Sequence, residues 1–413
     1  MKQMARALIL IVATVGFACA SFAESWQDRM DHTMAFFAPY WDEASGSFPS
    51  EINYDGSVKS ETRHLIATSR MVYGLAHIGD IEKAKRLAQF MVEQMLRNDS
   101  YGPYFLTSVT PGEEAVAPTE LVVNHQAYGL NGLVALYQKT GDQMTLNLIY
   151  QVFETFMKRF HDEQFGGFYD KFNLETGEAI KTKSYNSTVY VATSFLFDLY
   201  EATEDEQFGH LLAELATIVG RHFPDSETGF IIENFDRQWN PQWREWQKQP
   251  EGTIGISGHN FQAAWLLIRA SELTEVISKQ QEELFRATAA EILNSMLSKE
   301  TVVDKTNGGV GDVYVRETSQ TMWHTNKAWW QQAEAILALR AAELAQLNVP
   351  NAKTVRKSIQ DFYVNKVIDR ENGGEFAVVT KEGAPVVGEM KAQLGKSTYH
   401  AIELGRYMLK YGE

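Results

Sequence analysis

Cysteine occurs once in 413 residues, so the chain can build neither a disulfide framework nor a Cys-based zinc site. Proline occurs 10 times and never in a cluster, and no linker-like tract divides the chain. Basic residues are in deficit, 38 Lys and Arg against 53 Asp and Glu, for a net charge of −15. That balance leaves no electrostatic footprint for nucleic acid or an acidic membrane surface. Apolar runs of spanning length are missing, because Leu8 to Ala18 is too short to cross a bilayer. H-E-x-x-H, G-x-x-x-x-G-K-[ST] and G-x-S-x-G do not occur. Gly308-Gly309-Val310-Gly311 is not followed at once by a helical pattern, so it is no dinucleotide loop. No metal and no other cofactor is therefore expected.

The chain has ample apolar material, 44% of residues, with 9 Trp, 17 Tyr and 23 Phe. That suffices for one large core. Lys2 and Arg6, the apolar run behind them and Ser21-Phe22-Ala23 read as a secretory signal over residues 1–23, cleaved after Ala23 or, second, after Ala20. Gly16 and Phe17 are poor lipobox residues before Cys19. Cleavage would remove Lys2 and Arg6 and no acid, which moves the charge from −15 to −17. The expected setting is periplasmic or secreted, with one domain over 24–413 and no membrane contact after cleavage.

One weak pattern recurs along that domain: Asp or Asn, three residues, Gly, then aromatic or β-type residues. It starts at Asp42, Asn98, Asp162, Asp225, Asp304 and Asp369, at intervals of 56, 64, 63, 79 and 65. Any one copy is a routine turn, while six are a repeat. Helical periodicity falls in pairs between the turns, over 62–78 with 80–96, 124–139 with 143–160, and 187–202 with 205–222. Pairs 259–274 with 279–298 and 326–346 with 351–366 follow. A lone helix over 397–411 takes its partner from the N-terminal helix near 25–40. The first member of each pair is the more apolar, as a helix buried between neighbours is. Twelve helices in six hairpins predict an all-α fold, a single closed (α/α)6 toroid with short β-hairpin turns; an open α-solenoid is the competing arrangement.

Polar groups cluster where the inner helices begin: Arg63, His64 and Arg70; His125 and Tyr128; Asn186 and Tyr190; His259 and Gln262; Asn326, Trp330 and Glu334; Tyr399 and His400. In a toroid they converge on one end of the central cavity, where helix N-termini favour an oxyanion or enediolate. Each also has a plainer reading. Arg70 is a sugar clamp or half of a structural salt bridge. Trp330 stacks on a sugar or packs in the core. Glu334 binds substrate or anchors the core. His259 and His400 gain weight as a pair, because two histidines can act as acid and base near neutral pH.

The chain resembles the N-acylglucosamine 2-epimerase superfamily, which includes mannose and sulfoquinovose isomerases and cellobiose 2-epimerases. The resemblance rests on Thr62 to Met71, Phe165-Gly166-Gly167-Phe168-Tyr169-Asp170, Gly258-His259, Trp329 to Glu334, and Lys396 to His400. It implies the same barrel and aldose–ketose isomerisation or 2-epimerisation through an enediolate-like intermediate, without metal or nucleotide. By motif it places the catalytic pair on His259 and His400, the sugar-binding Arg on Arg70, the inner-helix Tyr on Tyr128 and the substrate-contacting Asn on Asn186. Two positions depart from the isomerase pattern: Tyr190 stands for a His and Gln262 for a Glu. Gln262 cannot hold an imidazolium by charge, so a lower pKa is expected at His259. Tyr190, Gln262, Trp330 and Glu334 are the remaining candidate substrate contacts.

The expected function is an exported isomerase or 2-epimerase acting on a small-molecule carbohydrate, a mono- or disaccharide, with a homodimer possible. Two alternatives stay open: a glycoside hydrolase or lyase using Glu233, Asp236 or Glu334, and a carbohydrate-binding protein that has lost catalysis.

Overall fold

The turns that punctuate the sequence share one geometry. In five of them the Gly amide bonds back to the Asp carbonyl: Gly46 to Asp42 at 2.8 Å, Gly166 to Asp162 at 2.7 Å, Gly229 to Asp225 at 2.7 Å, Gly308 to Asp304 at 2.9 Å and Gly373 to Asp369 at 2.9 Å. Each of these glycines has φ between 66° and 85°, a region open to glycine and strained for other residues. The sixth copy is a hairpin, with Asn98 and Asp99 paired to Pro103 and Gly102.

A buried cation holds each turn. Lys183 lies 3.0 Å from Asp162, Lys327 3.0 Å from Asp304, and Lys391 2.7 Å from Asp369. Each of these lysines also donates to a turn glycine carbonyl, Gly166, Gly308 and Gly373 respectively. Arg316 pairs with Asp225, Arg159 with Asp99, and Arg63 with Asp42. The repeat visible in the sequence is thus a repeat of ion pairs, each made by a buried cation.

The computed structural model describes residues 24–250, 252–299, 302–318 and 326–413; the expected signal segment and its cleavage sites lie outside the described residues. Among the described residues there are twelve helices. They are α1 (Trp26–Phe37), α2 (Leu65–Ile78), α3 (Ile81–Met95), α4 (Val123–Thr140), α5 (Gln143–Phe160), α6 (185–203), α7 (Glu206–His222), α8 (Ser257–Ser271), α9 (Lys279–Ser298), α10 (Trp329–Leu344), α11 (Ala352–Phe362) and α12 (Tyr399–Tyr411). Helix α6 carries a π-turn over Ala192–Leu196. None of these helices is long and apolar enough to cross a membrane.

Even-numbered helices form the inner ring and odd-numbered ones the outer ring. Helix α8 buries 14 of its 15 residues, as a helix packed on all sides must. Outer α3 buries a single face, through Ala84, Leu87, Ala88, Phe90, Met91 and Met95. Outer helices α3, α5, α7 and α9 begin on side-chain caps: Asp80, Asp142, Asp205 and Ser278 each accept from a backbone N–H in the first turn. Such a cap is worth roughly 1 kcal/mol. Gly141 and Glu204, both left-handed, end the inner helices just before two of these caps.

Five of the six inner helices, α2 to α10, are each preceded by a short strand that pairs with the next repeat. Arg63–His64 pairs with Ser108–Val109, Glu120–Val122 with Lys171–Asn173, and Thr182–Ser184 with Asn234–Asp236. Gly252–Ile256 pairs with Val313–Val315 and Lys327–Ala328 with Val378–Val379. The ring closes by reciprocal amide bonds between Ile52 and Ala392, 3.0 and 3.2 Å, and by α1 packing on α12. The fold is the expected all-α (α/α)6 toroid. Arg63 and His64 belong to a strand rather than to the first turn of α2.

Candidate functional site

The strands before the inner helices form a rim at the N-terminal end of the inner ring. There a cavity of about 380 Å³ opens between α4, α6 and α8, within the size range that encloses small ligands. His259, Tyr190 and Asn186 stand on its wall, and Tyr185 and Glu233 join them.

His259 is held on several sides. The Tyr185 ring stacks on it at 3.9 Å between centroids and 20° between planes. The Tyr190 hydroxyl lies 3.3 Å from Nε2. Glu233 Oε1 lies 3.4 Å from Nδ1, within ion-pair reach though not aligned as a hydrogen bond. Burial and the neighbouring Tyr128 push the Tyr190 phenol above its ordinary range, so it stays a donor. With Tyr190 donating to Nε2, Nδ1 carries the ring proton toward Glu233.

His400 starts α12. Its Nδ1 lies 2.8 Å from Glu334 Oε1. Burial, then the charge of Glu403, push the Glu334 carboxyl well above its ordinary value, while burial and Arg70 push His400 well below its own. The two therefore share one proton. With that proton on Glu334, His400 keeps N–H at Nε2 and can act as an acid; with it on Nδ1, Nε2 is free to act as a base.

Two features join the histidines. The Trp330 indole lies 5.6 Å from the His259 ring and 5.7 Å from the His400 ring, centroid to centroid, so the two imidazoles are no further apart than the sum of these distances. Gly258 admits that indole, because a Cβ there would lie 2.6 Å from the Trp330 ring. Beneath, the Tyr185 hydroxyl donates to Gln262 Oε1 at 2.5 Å, and Gln262 Nε2 lies 3.4 Å from Glu334 Oε1. A continuous path thus runs from the ring stacked on His259 to the carboxylate behind His400.

Several expected contacts take a different place. Gln262 and Glu334 have no exposed surface and lie behind the histidines, not on the cavity wall. The carboxylate that Gln262 was expected to deny His259 comes from Glu233, which stands just ahead of the Asn234–Asp236 strand. Tyr128 is buried under Arg70, whose guanidinium sits 4.2 Å from that ring and 5.1 Å from Tyr399. Arg70 donates to the Gly395 carbonyl and pairs with no carboxylate among the described residues; its charge acts on His400 and Glu334 from behind. Arg63 bonds Ser47 and Glu61, away from the cavity. His125 is pushed down to about 4 by burial. Asn326 is used through its backbone carbonyl, which accepts from Asp312.

The wall also carries Asn124, Asp170, Lys171, Asn234, Arg244 and Trp246, which no motif singled out except Asp170. Asp170 accepts from Thr182, Ser184 and Arg244. Asp312, behind α8, accepts from Gln331, and burial pushes it up to about 6 beside the field of His259. Among the described residues no group of three or more His, Cys, Asp or Glu is placed to hold a metal ion.

The model of the N-acylglucosamine 2-epimerase (GlcNAc 2-epimerase) family matches residues 46–403. A cellobiose 2-epimerase from Ruminococcus albus is 24% identical over 408 residues, covering 92% of this chain and 95% of its own. Among solved structures, a D-mannose isomerase superimposes with a TM-score of 0.79 at 18% identity, over 93% of this chain and 97% of its own. Cellobiose 2-epimerase from Spirochaeta thermophila gives 0.76 at 20%, over 93% and 94%. At these identities the structural likeness speaks for the fold.

Proposed function

The chain belongs to the N-acylglucosamine 2-epimerase family, and from that premise we propose that it is a carbohydrate 2-epimerase or isomerase in which His259 and His400 move the proton at C2 of a mono- or disaccharide. The observation that carries this reading is the pair of imidazoles against one indole, each backed by its own carboxylate, Glu233 and Glu334. One imidazole takes the C2 proton, and the electron pair left behind moves into an enediolate. Return of a proton to the same carbon from the opposite face inverts C2; return to C1 gives the ketose. General acid–base help of this kind contributes about 10²–10⁴-fold per positioned group.

The hydrolase reading is the weaker one. It needs two free carboxyl groups facing each other across the cavity. Glu233 is engaged with His259 and the Ile256 amide. Asp236 is spent in its own turn on Gln238 and Asn240, and Glu334 has no exposed surface. Loss of catalysis is also disfavoured, because the cavity is open and not filled by side chains.

Export belongs to the proposal and rests on the charged and apolar pattern of residues 1–23. Mass measurement of protein recovered from the periplasm tests it: a chain beginning at Ser21 or Glu24 is expected, and a full-length cytoplasmic chain overturns it. For the activity, the sugars in the relatives' names suggest the panel. Incubation with cellobiose and with D-mannose, followed by chromatography of the sugars, is expected to yield the 2-epimer or the ketose of at least one. A panel of free aldoses and disaccharides with no conversion overturns the reading.

A further inference from the structure

A second, smaller cavity opens at the other end of the toroid, where the inner helices finish. It has a volume of about 70 Å³, and Asp198, Glu201, Trp265, Arg269, Glu403 and Arg406 are among the residues around it. It is polar and large enough for a few waters. Most of its charges are matched. Arg406 reaches Asp198 at 3.2 Å and the Tyr73 hydroxyl at 2.5 Å, and Arg269 reaches Glu201 at 2.6 Å. Glu403 is the exception: it has no ion-pair partner among the described residues, and its Oε2 is buried without a hydrogen bond. The Trp265 Nε1 beside it is also buried and unpartnered.

Groups facing Glu403 come from every inner element around it. They are Tyr399 and Arg406 of α12, Asp198 of α6, Arg269 of α8, Glu334 of α10, Tyr73 of α2 and Tyr128 of α4. Glu334 is the telling neighbour. Its Oε2 is likewise buried and unpartnered, while its Oε1 holds His400 Nδ1. Two adjacent buried carboxylates cannot both stay charged at acceptable cost, so the pair retains a proton. A column of titratable groups therefore runs from His400 to the opposite face.

We propose that Glu334 and Glu403 carry protons between His400 and solvent in the lower cavity, so that the imidazole regains its protonation state while sugar covers the upper one. The inference rests on His400 acting as an acid–base group. When His400 Nε2 takes the C2 proton, the C–H electron pair stays on the enediolate. The Nδ1 proton passes to Glu334 Oε1. A proton leaves Glu334 for Glu403, directly or through one water, and Glu403 releases one to water below. The reverse sequence recharges the imidazole, and no oxidant or co-reactant is consumed. Glu403 acts through Glu334 and is a positioning residue.

The test follows deuterium. Full-length protein turns over cellobiose or D-mannose in D2O, and the deuterium that His400 returns to the sugar, at C2 of recovered substrate per product formed or at C1 of a ketose, is read by NMR and mass spectrometry. Wild type is expected to return almost only deuterium from His400 to these positions. Glu403→Leu and the isosteric Glu403→Gln are expected to return the substrate's own proton several-fold more often, with a displaced pH profile of kcat, while Glu403→Asp restores labelling. A merely structural role lowers the rate and leaves the labelled fraction alone. Unchanged labelling and an unchanged pH profile in Glu403→Gln overturn the relay. Absence of C2 exchange in wild type instead overturns the epimerase reading itself.

Discussion

His400 Nδ1 lies 2.8 Å from Oε1 of Glu334, a carboxylate with no exposed surface. The same oxygen is 3.4 Å from Gln262 Nε2, whose amide oxygen takes the Tyr185 hydroxyl. One buried oxygen thus orients His400 and ties it to the ring that stacks on His259. Most consequences of the site begin at that oxygen.

Glu334→Gln preserves the shape and removes the ability to take a proton. Because Glu334 does not line the cavity, kcat is expected to fall about 10²-fold, within the range of one positioned acid–base group, with KM nearly unchanged. Steady-state kinetics check this. A rise in KM at constant kcat would mean that the residue binds substrate.

Gly258→Ala places a methyl 2.6 Å from the Trp330 ring and 2.7 Å from Gln331 Cγ. Overpacking of this kind costs about 1–3 kcal/mol. Urea denaturation is expected to show that loss together with a fall in kcat, because the indole displaced is the one both imidazoles touch. Stability and rate equal to wild type would show that Trp330 has slack.

The turn cations are expected to matter far more than surface pairs. Lys391 and Asp369 are 2% and 4% exposed at 2.7 Å, so Lys391→Met, which strands a buried carboxylate, is expected to cost about 3–5 kcal/mol. Lys85 and Glu82 are 53% and 84% exposed, and Lys85→Met is expected to cost no more than about 0.5 kcal/mol. Chemical denaturation of the two variants side by side distinguishes them.

Burial pushes the Glu403 carboxyl up to about 7 from an ordinary 4.5. The folded chain then holds a proton that the unfolded chain has released, so this stability is present below the lower value and lost as pH rises through the upper one. Glu403→Gln has no such proton to lose. Its urea midpoint is expected to gain on wild type between pH 5 and pH 8; a constant difference across that window would contradict the shift.

The fold was legible because its signals are local and repeated. Six turns from Asp or Asn to Gly and twelve amphipathic segments set the toroid, and helices α5 and α9 run over the residues the periodicity assigns them. Boundaries slipped where a strand precedes an inner helix, as at Arg63 and His64, since two extended residues leave no period to read. The two histidines were legible as helix-start residues in an apolar context. Their carboxylates were only half so. Glu334 stands in a tryptophan-rich helix and draws notice, but its role behind His400 depends on a contact across 66 residues. Glu233 reaches His259 only because a hairpin folds back between them, and nothing in the intervening sequence marks that. The cations Lys183, Lys327 and Lys391 were missed although two of them, Lys183 and Lys327, stand two residues before an inner helix, because a lone lysine ordinarily reads as solvated surface.

The most direct measurement of the central claim follows the C2 proton of cellobiose or D-mannose by NMR in D2O, for wild type, His259→Ala and His400→Ala. The account predicts that wild type exchanges that proton and that each single substitution lowers the rate by at least about 10²-fold. Exchange persisting at the wild-type rate after loss of either imidazole would contradict it.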